Sequence, residues 1–145
     1  MWLIPFGYKD ERSPHYNDLI RVAEAATFAL NSVHKTEYKV GVSKTMIYPV
    51  HGCSVDWAHE VLGIKYTYSL ELRPHFVEKE YPQGFLLPVE EIGNTLEETW
   101  IGLLGMTKAI SKNSSSRISM SHFLLMILFV SLILVENIFI VSLLT

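Results

Sequence analysis

Residues 63–73, GIKYTYSLELR, alternate with period two. Ile64, Tyr66, Tyr68, Leu70 and Leu72 share one face, and Lys65, Thr67, Ser69, Glu71 and Arg73 share the other. That spacing, in residues that favour extended backbone, predicts a β-strand. Pro74 cannot donate to a sheet ladder, so the strand is expected to stop there. Its polar face then ends in a carboxylate and a guanidinium at the carboxyl end of the strand. In open α/β sheets that edge is where sites are built. An edge strand with a solvated face accounts for the same pattern.

The rest of the chain supplies elements for such a sheet. Residues 2–6 form a short apolar run closed by Gly7, read as a buried strand followed by a loop. Asn17 or Asp18 can cap a helix whose stripe is Leu19, Val22, Ala23, Ala26, Leu30 and Val33. Residues 38–48 read as a loop or short strand, and 49–54 as a turn. Residues 55–62 can form a short helix with Trp57 on its buried side, ended by Gly63. After a charged segment at 74–82, Glu90 and Glu91 open a short turn. Asn94 or Thr95 then caps a last helix, with Glu97 and Glu98 suited to its first turn. Leu96, Trp100, Leu103 and Leu104 form the expected buried stripe of that helix.

At 145 residues the chain has room for one modest domain. Its net charge of −3 opposes a strongly basic nucleic-acid binder, and no glycine-rich phosphate loop occurs. Cys53 is the only cysteine, which excludes an internal disulfide; its turn suggests a small packing residue. Residues 1–5 lack the basic segment and the long apolar run of a signal peptide, so the start reads like the middle of a domain.

Several motifs then follow in one order. Ile47-Tyr48 precedes a turn with Gly52, Ser54, Asp56 and Trp57. Gly63-Ile64-Lys65-Tyr66 leads to Glu71-Leu72-Arg73, and Gly84-Phe85-Leu86-Leu87-Pro88 leads to Glu98-Thr99-Trp100. From about Trp2 to about Met106 this order resembles the zinc metallocarboxypeptidases of the pancreatic carboxypeptidase A/B type. The resemblance implies an α/β fold, namely the C-terminal part of a mixed-sheet α/β/α carboxypeptidase domain. It is expected over residues 1–112, with a serine-rich linker and a C-terminal hydrophobic helix over 113–145.

The resemblance also implies roles. Glu71 matches the general base that activates zinc-bound water and later protonates the leaving amine. Tyr48 matches a tyrosine on a mobile loop that donates its hydroxyl to the substrate carboxylate. Ser43, Val50, Val55 and Ser69 match the pocket for the departing side chain, with Val55 at its floor. None of the four is charged, so an apolar or aromatic C-terminal residue is expected as substrate. Arg73 suits a structural ion pair better than catalysis, and Asp56 suits a cap or turn carboxylate. The spacings His34-x-x-Glu37 and His75-x-x-Glu78 echo the family's zinc motif but lack a third histidine at a suitable distance, and His59-Glu60 lacks the second histidine of a zinc helix. The family's zinc ligands, its carbonyl-polarising arginine and its carboxylate-gripping pair all lie upstream of anything matched here. Zinc is therefore expected in a full-length protein, and no bound metal and no activity in this chain alone.

The expected function is removal of C-terminal amino acids from peptides or proteins, outside the cell or at its surface, once the missing N-terminal half of the domain is supplied. The rival is a non-catalytic, membrane-tethered remnant or binding decoy. Residues 123–145 are apolar apart from Glu136, Asn137, scattered serines and the final Thr145, and they follow the sequon Asn113-Ser114-Ser115. That tail reads as a lipid-anchor signal, a membrane span or a translated intron.

Overall fold

The computed structural model describes residues 1–74 and 86–113. The chain divides into two compact units, Met1–Ile110 and Ser111–Thr145. The expected hydrophobic tail and the His75–Glu78 spacing lie outside the described residues.

The apolar run at the start becomes β1, Trp2–Ile4, whose three side chains are fully buried. It is the central strand of a three-stranded mixed sheet. On one side β2, Val40–Val42, pairs parallel to it, with Leu3 opposite Gly41. On the other side β3, Ser69–Leu70, pairs antiparallel, with Trp2 opposite Leu70 and Leu3 opposite Ser69. The α/β class and the mixed sheet thus follow the sequence reading.

The predicted strand is much shorter than its alternation. β1 offers only three residues as a partner, and the upstream residues are drawn to a helix instead. The Tyr66 hydroxyl donates to Asp18 Oδ2 at 2.6 Å, and that of Tyr68 to the Leu19 carbonyl at 3.2 Å. Thr67, on the supposed polar face, is buried, while Ile64 on the apolar face is exposed.

That helix is α1, Tyr16–His34. Leu19, Val22, Ala23, Ala26 and Leu30 are buried as their spacing requires, and they pack on β1 and β2. Neither Asn17 nor Asp18 caps it; His15 holds the N-cap position without a side-chain hydrogen bond. Asp18 lies inside the first turn, where a carboxylate favours the helix dipole. Its carboxylate accepts from Arg21 at 2.6 Å and pairs with Lys65. Burial pushes the Asp18 carboxyl up, but hydrogen bonds from Lys65, Tyr66 and Arg21 outweigh it and hold the group well below the ordinary carboxylate range.

After β2 come two short helices, α2, Ser43–Met46, and α3, Ser54–Glu60. In α3 the buried residues are Asp56, Ala58 and His59, and Trp57 is 52% exposed. The expected burial of Trp57 fails because two polar anchors set the rotation of this helix. Asp56 Oδ2 accepts from the Gly7 backbone N–H at 2.8 Å. His59 Nδ1 reaches the Ile64 carbonyl at 2.9 Å, and its Nε2 lies 2.7 Å from Ser13 Oγ.

A 3-10 turn, Val89–Glu91, leads directly into α4, Ile92–Asn113. Thr95 does not cap it; its hydroxyl donates to the Glu91 carbonyl at 2.7 Å, and Asn94 reaches the Glu91 side chain. The buried side is also not the expected one. Thr95, Glu98, Thr99, Gly102, Met106, Ala109 and Ile110 face inward, whereas Leu96 is 54% and Trp100 60% exposed, and Leu104 is exposed too. A Cβ on Gly105 would sit 2.8 Å from Ala29 Cβ, and one on Gly102 would sit 3.2 Å from Leu30 Cβ. The two glycines let α4 lie close against α1, and the large apolar residues are left on the outer side.

Candidate functional site

Glu71 follows β3 immediately, and its backbone is fixed from both sides. Its N–H donates to the Met1 carbonyl at 2.9 Å, and the Met1 amino group donates to its carbonyl. Because β3 runs antiparallel to β1, the carboxyl end of β3 lies at the amino end of β1. Glu71 therefore does not share an edge with the carboxyl ends of the parallel strands, as a fully parallel sheet would require.

The Glu71 side chain is half-buried and has no hydrogen-bond or ion-pair partner among the described residues. Its charge is felt nearby. Burial lowers the Met1 amino group to about 6, against the opposing pull of the Glu71 carboxylate. Burial also pushes the Cys53 thiol up, helped by the charges of Asp56 and Glu71. The carboxylate thus lies within electrostatic reach of the turn that opens α3.

Arg73, two residues on, is fully committed. Its Nε donates to Glu98 Oε1 at 2.8 Å and its Nη2 to Glu98 Oε2. Nη1 donates to Glu91 Oε2 at 2.6 Å, and Nη2 also donates to Thr36 Oγ1 at 2.7 Å. The Thr36 hydroxyl in turn donates to Glu98 Oε2 at 2.7 Å, and Tyr38 donates to Oε1 at 3.3 Å. Glu98 has 0% exposure. Its hydrogen bonds hold the Arg73 guanidinium above its ordinary range, and burial with the Glu98 charge pushes the Tyr38 phenol up. The structural ion pair expected for Arg73 is present. Its partner was not legible, because Glu98 reads in sequence as a residue of a helix's first turn.

The other candidates lie around β1. Ser43 is buried, and its hydroxyl donates to the Ile4 carbonyl at 2.9 Å, so its polarity is spent on the backbone. Ser69 sits in β3 opposite Leu3. Val50 is tied through its N–H to the Gly7 carbonyl at 2.9 Å. Val55 is half-buried in the first turn of α3. Tyr48, on the loop after α2, is 67% exposed. Asp56 is neither a cap nor a turn carboxylate: it is buried inside α3, where it accepts from the Gly7 backbone N–H.

An open cavity of about 620 Å³ lies beside this region, walled by Tyr8, His51, Cys53, Asp56, Trp57 and Glu60 among others. Ser54 and Asp56, the neighbours of Val55, line it, but Val55, Tyr48 and Glu71 do not. Glu60 is occupied there by the Tyr8 hydroxyl and by Lys9 at 2.7 Å.

No three His, Cys, Asp or Glu among the described residues are grouped to hold a metal ion. His34 lies 3.1 Å from Glu97 rather than acting with Glu37. His59 donates from Nδ1 to a carbonyl, which in the neutral ring leaves Nε2 to accept from Ser13. The described residues therefore do not form a zinc site. The Ser13–His59 pair was missed in sequence, where 46 residues separate the two.

The zinc carboxypeptidase family profile matches residues 1–102. Carboxypeptidase A2 of Rattus norvegicus is 45% identical over 101 residues, which is 70% of this chain and 23% of that protein. Mast cell carboxypeptidase A of Mus musculus is 40% identical over 115 residues, covering 79% of this chain and 26% of that protein. Bovine thrombin-activatable fibrinolysis inhibitor, solved in complex with tick carboxypeptidase inhibitor, is 33% identical, with a TM-score of 0.69 over 77% of this chain and 36% of that one. The chain spans about a quarter of the length of the curated relatives it matches.

Proposed function

The chain belongs to the zinc carboxypeptidase family, and from that premise we propose that it is the carboxyl-terminal part of a hydrolase that removes C-terminal residues from peptides or proteins. One observation carries the assignment of its base. Glu71 has a backbone locked at a strand end and a carboxylate left uncommitted among the described residues, while Arg73 beside it is held by Glu98, Glu91 and Thr36. A general base needs a fixed position and a free lone pair together. Glu71 takes the proton of the attacking water and returns it to the departing amine. Tyr48, exposed on its loop, donates its hydroxyl to the carboxylate of the bound peptide.

Ser43, Val50, Val55 and Ser69 form the pocket for the departing side chain. It favours apolar or aromatic residues, because a charged group there would enter unpaired. Zinc serves the family's reaction, and its ligands come from residues outside those described. The complete protein works outside the cell or at its surface; among the described residues no helix is long and apolar enough to cross a membrane.

The test is hydrolysis of a chromogenic peptide by the complete protein. Glu71→Gln lowers kcat by ~10²–10⁴-fold. Tyr48→Phe chiefly raises KM, since one hydrogen bond to a charged group is worth ~1.5–3 kcal/mol. Equal losses in the two variants overturn the assignment.

A further inference from the structure

Ser13 and His59 are both buried, and neither belongs to the candidate site. Ser13 is fixed at the entry of α1. Its hydroxyl oxygen accepts from the His15 backbone N–H at 3.0 Å, and its carbonyl accepts from that of Tyr16 at 3.0 Å. His59, in the last turn of α3, joins this entry to the segment that leads to β3. Its Nε2 lies 2.7 Å from Ser13 Oγ and its Nδ1 2.9 Å from the Ile64 carbonyl. The ring also packs edge-on against Phe6 and His15, with centroids 5.6 and 6.0 Å apart. We propose that the Ser13–His59 pair is a positioning element for substrate selection, holding α3 so that Val55 sits at the floor of the pocket for the departing side chain. This rests on the reading of Val55 as that floor.

Residues four apart in a helix share one face, so His59 lies one turn beyond Val55 on the same side of α3. A helix of seven residues is too short to hold itself without tertiary contacts. Asp56 ties its first turn to Gly7, and His59 ties its last. One tether fixes a point; two fix the tilt and roll of the helix, and with them the direction of Val55. Glu71 is not carried along, because its backbone is held separately by Met1. Loosening the pair therefore changes how a side chain fits the pocket and leaves the proposed base in place.

The experiment measures kcat and KM of the complete protein on peptides ending in Phe and in Ala, for Ser13→Ala, His59→Phe and His59→Gln. Ser13→Ala and His59→Phe are each expected to raise KM for the Phe peptide by ~2–10-fold, the range of one hydrogen bond. Both leave kcat and the Ala peptide nearly unchanged, because a single methyl does not reach the pocket floor. His59→Gln keeps an acceptor for the Ser13 hydroxyl and returns KM toward the wild-type value. Ser13→Ala is the milder change and carries the test if His59→Phe does not fold. Equal rises in KM for the two peptides, or a fall in kcat instead, overturn the proposal and assign the pair to general stability. Val55→Asp, assayed in parallel on peptides ending in Phe and Lys, separates the two readings. An unchanged preference there overturns the pocket and this proposal with it. A shift toward Lys, with Ser13→Ala like the wild type, overturns the positioning role alone.

Discussion

Arg73 grips Glu98 through two of its guanidinium nitrogens, and Glu98 has no exposed surface at all. A carboxylate in that position depends on its partner: with the guanidinium gone, the charge stays buried and uncompensated. Arg73→Met is therefore expected to cost ~3–5 kcal/mol. Arg73→Met with Glu98→Leu should lose much less, because no unpaired charge remains. Urea unfolding followed by circular dichroism gives both values; equal losses would show that the pair contributes no more than its packing.

Asp18 sets a pH dependence. Its folded-state carboxyl lies below the unfolded value, so its contribution is complete above the unfolded pKa of about 3.9 and is lost as pH falls toward the folded pKa. Asp18→Asn should reduce the urea midpoint at pH 7 and flatten its decline in acid. A variant as acid-sensitive as the wild type would assign that decline to other groups.

Gly105 and Gly93 form a matched pair in α4. A methyl group at Gly105 would meet Ala29 Cβ at 2.8 Å, whereas one at Gly93 would meet nothing within 4 Å. Gly105→Ala is expected to be destabilising, since the helix propensity gain of about 1 kcal/mol is outweighed by an overpacking cost of ~1–3 kcal/mol. Gly93→Ala should gain ~0.5 kcal/mol near the helix start. Thermal melts of the two variants should move in opposite directions.

Val55 tests the pocket. In the complete protein, Val55→Asp should raise kcat/KM for peptides ending in Lys relative to Phe, because the new carboxylate compensates an ammonium that otherwise enters unpaired. The readout is a series of peptides ending in Phe, Leu, Lys and Glu. An unchanged order of preference would place the pocket floor elsewhere.

What the sequence showed and what it hid divide along one physical line. β1 and α1 were legible because a run of apolar residues and a helical stripe each need only a core to face. The face of α4 was not. Leu96, Trp100 and Leu104 have the stronger hydrophobic pattern, yet Glu98 turns inward to meet Arg73, 25 residues earlier, and Gly102 and Gly105 allow the approach. Trp57 was misplaced for the same reason, because the Asp56–Gly7 hydrogen bond fixes α3 across 49 residues. Glu71 and Arg73 were singled out by local spacing. Which of them is free and which is tethered depends on contacts that spacing does not encode.

The opposed directions of β1 and β3 decide who Glu71's neighbours are. With β3 ending where β1 begins, any residue joined ahead of Met1 would emerge at Glu71's shoulder. One peptide link of about 3.8 Å would set such a residue beside the Glu71 backbone. Chain direction acts here as an address: it sets the start of β1 and the end of β3 side by side.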